Sequence, residues 1–202
     1  MFRLAAGLAA AFGAALVASP SGVDAKVSHS KGLVTKKAAA PGELSEADQA
    51  PAALLGTLVQ THTDERVPLD DRSPSADRFS LLLADRVTGE RRELDPKLLE
   101  LLRSIARKHP GARFELVSGY RSPKLNEMMR KKGHHVASHS QHSLGHAVDF
   151  RVVVEPETRG LDPRLLEREI RDLGWAGGVG VYTLASDWFV HADVGKLRRW
   201  AG

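Results

Sequence analysis

The chain has 202 residues, 42% of them hydrophobic, enough for one domain with a buried core and extensions beside it. It contains no cysteine, which excludes disulfides, thiol nucleophiles, cysteine-ligated zinc and an N-terminal lipid-modified cysteine. The formal charge of +4 is modest and spread along the chain, so no nucleic-acid partner is expected.

Met1 to Ala18 carries a single charge, Arg3, followed by a run of Ala, Leu, Gly, Phe and Val. That run is short of the roughly 20 apolar residues needed to span a bilayer. It has the pattern of a secretory signal peptide, with small residues suited to cleavage after Ala18 or Ala25. Residues 1–25 are therefore read as the signal, with an uncleaved anchor as the competing reading and no stable membrane insertion expected after cleavage. Residues 26–53 are rich in Ala, Lys, Ser, Pro and Gly without sustained periodicity and read as a flexible linker. The folded domain is expected over 54–202.

Within it, Thr57 to Leu69 has two β-prone runs around Thr63-Asp64-Glu65, the signature of a hairpin. A short helix is expected over Asp77 to Asp85, carrying Phe79, Leu82 and Leu83. Asp95 and Pro96 supply the N-cap and first position of a second helix, with Leu98, Leu102 and Ile105 as its apolar stripe. Phe114 to Val117 reads as a strand leading into Ser118-Gly119-Tyr120-Arg121. Ser122 and Pro123 open a third helix, with Leu125, Met128 and Met129 inward and Gly133 closing it. A fourth runs from Asp162-Pro163 through Leu166 and Ile170 to Gly174. Val179 to Thr183 and Trp188 to Val194 read as a closing hairpin. Interspersed helices and strands predict an α+β domain, with a mostly antiparallel sheet and flanking helices.

The chemistry concentrates in Ser138 to Asp149, where His139, His142, His146 and Asp149 fall close together. Residues 138–145 suit a loop, and 146–154 suit a strand. On that strand Ala147, Asp149, Arg151 and Val153 share one face, which leaves Asp149 at least half buried. A buried carboxylate must be paired, metal-bound or protonated. Spacing alone leaves a salt bridge to Arg151 or another arginine as open as a metal. Taken alone, His142 reads more readily as a solvated loop residue than as a ligand, and His134, His135 and His139 read as loop residues. The whole tract could also bind metal only opportunistically. His191, in a second strand-like run, is the candidate for a third ligand.

Ser140-Gln-His-Ser-Leu-Gly-His-Ala-Val-Asp149, with the later Phe189-Val-His-Ala-Asp-Val-Gly195, resembles the zinc D-Ala-D-Ala peptidase and murein endopeptidase superfamily, its murein endopeptidase K branch in particular. The likeness spans roughly residues 55–200 and includes Asp85-Arg-Val-Thr-Gly-Glu90, the Asp95-Pro96 helix and Gly177-Gly-Val-Gly-Val-Tyr182. It implies a hedgehog/DD-peptidase-like fold. It also implies a Zn²⁺ cofactor held by His142, Asp149 and His191, with a fourth position left open. Arg121, in Ser118-Gly-Tyr-Arg-Ser122, matches the family's arginine turn and would hold a substrate carboxylate or stabilise the oxyanion. Its ordinary alternative is a turn arginine paired to an acid. Ser140 would orient the substrate or a ligand.

The general base departs from the pattern, since Trp188 and Phe189 stand where relatives place an acid or a histidine. Asp187 is the candidate, although in a straight strand its Cα would lie about 13 Å from that of His191. Asp193 is nearer and reads as a supporting partner of the ligand. The resemblance implies an enzyme, a zinc metallopeptidase acting on peptidoglycan peptides in the periplasm or after secretion. A zinc-bearing cell-wall-binding domain without catalysis is the alternative, and an exported α+β domain without metal is a third reading. Neither the bond cut nor any protein partner is indicated by the sequence.

Overall fold

The computed structural model describes residues 52–132, 139–156 and 159–202. The expected signal peptide, the linker up to residue 51, the helix-closing Gly133, and His134 and His135 lie outside the described residues. In order, the elements are β1 (Gly56–Gln60), β2 (Arg66–Leu69), α1 (Ala76–Leu82), α2 (Pro96–Lys108), β3 (Ala112–Ser118) and α3 (Pro123–Lys131). A 3-10 turn (Gln141–Leu144), β4 (Ala147–Val153), α4 (Pro163–Asp172), β5 (Gly178–Thr183), β6 (Trp188–Asp193) and β7 (Arg198–Ala201) follow.

The four α-helices among the described residues start by one device. Ser75, Asp95, Ser122 and Asp162 each accept a hydrogen bond from a first-turn N–H, satisfying one of the orphan donors there. Proline opens α2, α3 and α4, where its missing N–H removes no helical bond. Helix α1 ends at Leu82, short of the expected Asp85, because Asp85 turns the chain instead. Its Oδ1 accepts from the amides of Val87 and Thr88 at 2.7 and 2.9 Å.

Among the described residues, seven strands form one sheet in the order β2-β1-β3-β4-β6-β5-β7. It is mixed rather than mostly antiparallel, because β1 pairs parallel to β3 and β5 parallel to β7. The first parallel pair follows from α1 and α2 lying between β1 and β3, since parallel neighbours need a crossover connection. The second comes from β7, a strand absent from the sequence reading, which returns past β6 to the far edge of β5.

Alternation along the strands divides the sheet's two faces. Phe114 and Leu116 of β3, Val148, Phe150 and Val152 of β4, and Val190 and Ala192 of β6 belong to one core with Phe79, Leu98, Leu102, Ile105, Leu166 and Ile170 of α1, α2 and α4. Fully burying each of the Val, Leu, Ile and Phe side chains contributes about 1.5–3 kcal/mol. Asp149, His191 and Asp193 alternate with these residues and so point to the opposite face. Helix α3 contributes nothing to that core cluster, and its Leu125 and Met129 line a cleft on the site side.

Asp85 joins the loop after α1 to the turn before α3. It is 1% exposed, and its Oδ2 accepts from the Ser122 amide at 2.6 Å. Burial would raise its pKa, but the hydrogen bonds from Ser122, Thr88 and Val87 outweigh burial and lower it. Its stabilising contribution is therefore present above the unfolded carboxyl pKa of about 3.9 and is lost as pH falls through the lower folded value. Asp85→Ala leaves three amides without their acceptor and should cost on the order of 3 kcal/mol at neutral pH. Chemical denaturation at pH 7 and again in acid should show that difference shrinking at the lower pH.

Candidate metal centre

One row across the sheet builds the site. Ser118, Asp149, His191, Gly180 and Trp200 are successive partners on β3, β4, β6, β5 and β7. His142 comes to the same place from the 3-10 turn, which closes at Gly145 with φ 77°. A Cβ at Gly145 would meet the Glu93 carbonyl oxygen at 2.3 Å, so both the left-handed backbone and the close approach require glycine.

His142 Nε2 lies 3.1 Å from His191 Nδ1 and 3.2 Å from Asp149 Oδ1, and Nδ1 of His191 lies 2.7 Å from that same oxygen. What stands behind each ring decides what these atoms offer. His142 Nδ1 is 2.7 Å from the Gly119 carbonyl, which can only accept, so Nδ1 carries the proton and Nε2 turns a lone pair inward. His191 Nε2 is 3.0 Å from Asp193 Oδ2, which fixes the complementary tautomer and turns the Nδ1 lone pair inward. Two imidazole lone pairs and a carboxylate oxygen thus converge within hydrogen-bonding distance of one another. Tetrahedral zinc with ligands at 2.0–2.1 Å would set its donors roughly 3.3 Å apart, so the set fits such an ion.

All three groups are buried, at 2%, 3% and 8% exposure for His142, Asp149 and His191. Burial lowers the pKa of His142 against the pull of Asp149, which keeps the ring neutral as a ligand must be. For Asp149, burial alone would raise the carboxyl, but His142 and His191 outweigh it and hold it well below the usual range. Burial likewise opposes charge on His191, and its bonds to Asp149 and Asp193 overcome that and raise it.

The groups behind the candidate ligands have defined partners of their own. Asp193 is fully buried and accepts from the Gly195 amide at 2.8 Å and from Arg198 Nη2 at 2.8 Å. Trp200 tilts against the His191 ring with centroids 5.2 Å apart. It reaches that place because Gly180, its neighbour, has no side chain; a Cβ there would meet the indole at 2.5 Å. Arg198 and Trp200 were invisible in the sequence, because Arg198-Arg-Trp-Ala201 is too short and too charged to read as a strand.

Arg121 donates from Nη2 to Asp149 Oδ2 at 2.7 Å and from Nε to Ser118 Oγ at 3.0 Å. It, and not Arg151, is the arginine paired with Asp149; Arg151 pairs with Glu115. Oδ2 is thereby occupied and Oδ1 is left to the histidines. Ser140 is buried at the start of the 3-10 turn and makes no side-chain cap to it. His139 is exposed, and His146 donates its amide to the Gln141 carbonyl at 2.9 Å.

A cleft of about 220 Å³ opens beside the centre. Asp149, Arg121 and Tyr120 lie on its wall, together with Phe189 and Asp187 at the start of β6 and His62 and Arg86 from two loops. Asp187 is exposed there, 3.2 Å from the Ser186 hydroxyl. His62 and Arg86 were not singled out as site residues, since a histidine and an arginine in exposed loops carry no periodic or spacing signal.

An α+β domain with a buried His–Asp–His set, its Asp149 on the wall of a cleft, is a scaffold able to hold a metal ion beside a binding cleft. The chain belongs to the family described as peptidoglycan L,D-endopeptidase MepK, whose model matches residues 61–200. It is similar to the probable peptidoglycan L,D-endopeptidase MepK of Haemophilus influenzae, 31% identical over 127 residues, covering 62% of this chain and 63% of that one. It is also similar to the peptidoglycan L,D-endopeptidase MepK of Escherichia coli K12, 28% identical over 160 residues, covering 74% of this chain and 81% of that one. The chain thus spans just under two thirds of the Haemophilus relative. No solved structure gives a significant match.

Removing the group that fixes the His191 tautomer should loosen the metal without unfolding the domain. Asp193→Asn is expected to weaken Zn²⁺ binding about 10- to 100-fold in competition with a chelating dye, with the far-ultraviolet circular dichroism retained.

Proposed function

We propose that the chain is an exported, zinc-dependent peptidase hydrolysing peptide bonds of peptidoglycan stem peptides or their cross-links, in the periplasm or outside the cell. The observation that carries this reading is the convergence of His142 Nε2, His191 Nδ1 and Asp149 Oδ1, with Asp149 on the wall of a cleft and the two histidines buried behind it. The names borne by the relatives favour an L,D bond as the first to test. Export is supported by the apolar run before Ser19, and no helix among the described residues is long and apolar enough to cross a membrane.

His142, Asp149 and His191 hold the ion, and an imidazole-rich set of this kind favours zinc over magnesium or calcium. When bound, zinc supplies Lewis acidity to the scissile carbonyl and to the attacking water. Arg121 steadies Asp149 through Nη2 and contributes positive charge near the carbonyl oxygen as it gains charge. Asp187 accepts the proton released by the water and passes it to the leaving amine. Ser140, buried at the start of the turn, orients the segment that carries His142. Phe189 packs beside the peptide with its ring stacked on Tyr182, centroids 4.5 Å apart.

Incubation of the zinc-loaded protein with muropeptides should release new fragments, and a chelator should stop that release until zinc is returned. Binding without any fragment would support the non-catalytic cell-wall-binding alternative. His142→Ala should abolish cleavage while the domain stays folded, because the core draws on α1, α2, α4 and the other face of the sheet. Asp187→Asn should lower kcat by about 10²–10⁴-fold. Full activity in that variant would remove Asp187 as the base.

A further inference from the structure

A peptide that carries a free side-chain carboxylate must have that charge neutralised when a cleft takes it from water. Arg121 has two of its donor nitrogens committed, one to Asp149 and one to Ser118, and its side chain is only 11% exposed. A second guanidinium borders the same cleft. Arg86 is exposed, and among the described residues no carboxylate pairs with it. Its Nη1 lies 3.1 Å from His62 Nε2, another wall residue, which in turn lies 3.2 Å from the Val117 carbonyl. Nε2 serves one of these partners at a time. As an acceptor it takes one N–H of Arg86 and leaves the others facing the cleft.

The backbone beneath Arg86 is held by a set of hydrogen bonds to neighbouring segments. Asp85 gathers the amides of Val87, Thr88 and Ser122. The Tyr120 amide donates to the Leu83 carbonyl at 2.9 Å, and the Glu90 carbonyl accepts from Asp85 at 2.8 Å. The loop is thus clamped to the turn that bears Arg121, at a fixed place on the wall. A pre-positioned guanidinium with unspent donors suits bidentate recognition of a carboxylate. Asp149 and Asp187 are the acidic groups on the same wall; Arg121 pairs with Asp149, which leaves Asp187 to oppose a second anion.

We propose that Arg86, braced by His62, is the cleft's anchor for a free side-chain carboxylate of the substrate peptide, while Arg121 serves the ligand Asp149. This rests on the peptidase reading above. The chemical class selected is an acidic peptide whose diacid residue lies close to the scissile bond. The anchor acts on specificity, and replacing a carboxylate with its uncharged amide removes what it recognises.

The test uses the zinc-loaded full chain and two synthetic stem peptides that differ only in that carboxylate and its carboxamide. Dissociation constants are measured by calorimetry beside kcat/KM, for the wild type and for Arg86→Gln. The wild type should bind the carboxylate form about 10- to 100-fold more tightly, and Arg86→Gln should bind the two peptides alike. Arg86→Lys should restore part of the preference, since it keeps the charge without the fork. A wild type that binds both peptides equally, or an Arg86→Gln protein that keeps the full preference, overturns the assignment. Should the wild type cleave neither peptide, the peptidase reading fails, and the calorimetry still decides whether Arg86 is a carboxylate anchor.

Discussion

Three electron-rich atoms held against one another are the constraint on which the site depends. His142 Nε2, His191 Nδ1 and Asp149 Oδ1 sit 2.7–3.2 Å apart in a buried place. Lone pairs so close repel unless a proton or a cation lies among them. The chain holds them there from behind. The Gly119 carbonyl and the Asp193 carboxylate claim the far nitrogens of the two rings, and Arg121 claims the far oxygen of the acid. Each candidate ligand is thereby held in orientation and in protonation by a partner on its far side.

That arrangement explains why a sheet carries the centre. Antiparallel pairing sets Asp149 opposite His191, while strand alternation sends their neighbours Val148, Phe150, Val190 and Ala192 into the core. A slip of one residue in the β4–β6 register would send the acid or the histidine to the wrong face. The core's demand for Val and Phe on one side therefore also fixes the chemistry on the other. Beyond β6, Gly180 leaves room for Trp200 beside His191, and Arg198 balances Asp193, so the last strand completes the support.

Much of this was legible in the residues. The Ser and Asp caps followed by Pro located α2, α3 and α4, because a cap oxygen and a preset φ are local properties. The candidate ligand set could be singled out once the spacing of His142, Asp149 and His191 was seen to resemble a known pattern, and the structure brings those three side chains together. Spacing alone could not separate a metal from an ion pair, and the structure shows why: Asp149 faces both, with Arg121 on one oxygen and the histidines on the other. What escaped was non-local. The parallel pairings of β1 with β3 and β5 with β7 depend on where crossovers land. The meeting of His62 with Arg86 joins loops 24 residues apart that carry no common signal.

X-ray absorption at the zinc edge of the loaded protein tests the central claim most directly. The account predicts one zinc per chain, with two imidazoles and a carboxylate oxygen at about 2.0–2.2 Å and one further light ligand. A zinc shell lacking imidazole scattering, or a protein that takes up no zinc at a buried site, would contradict it.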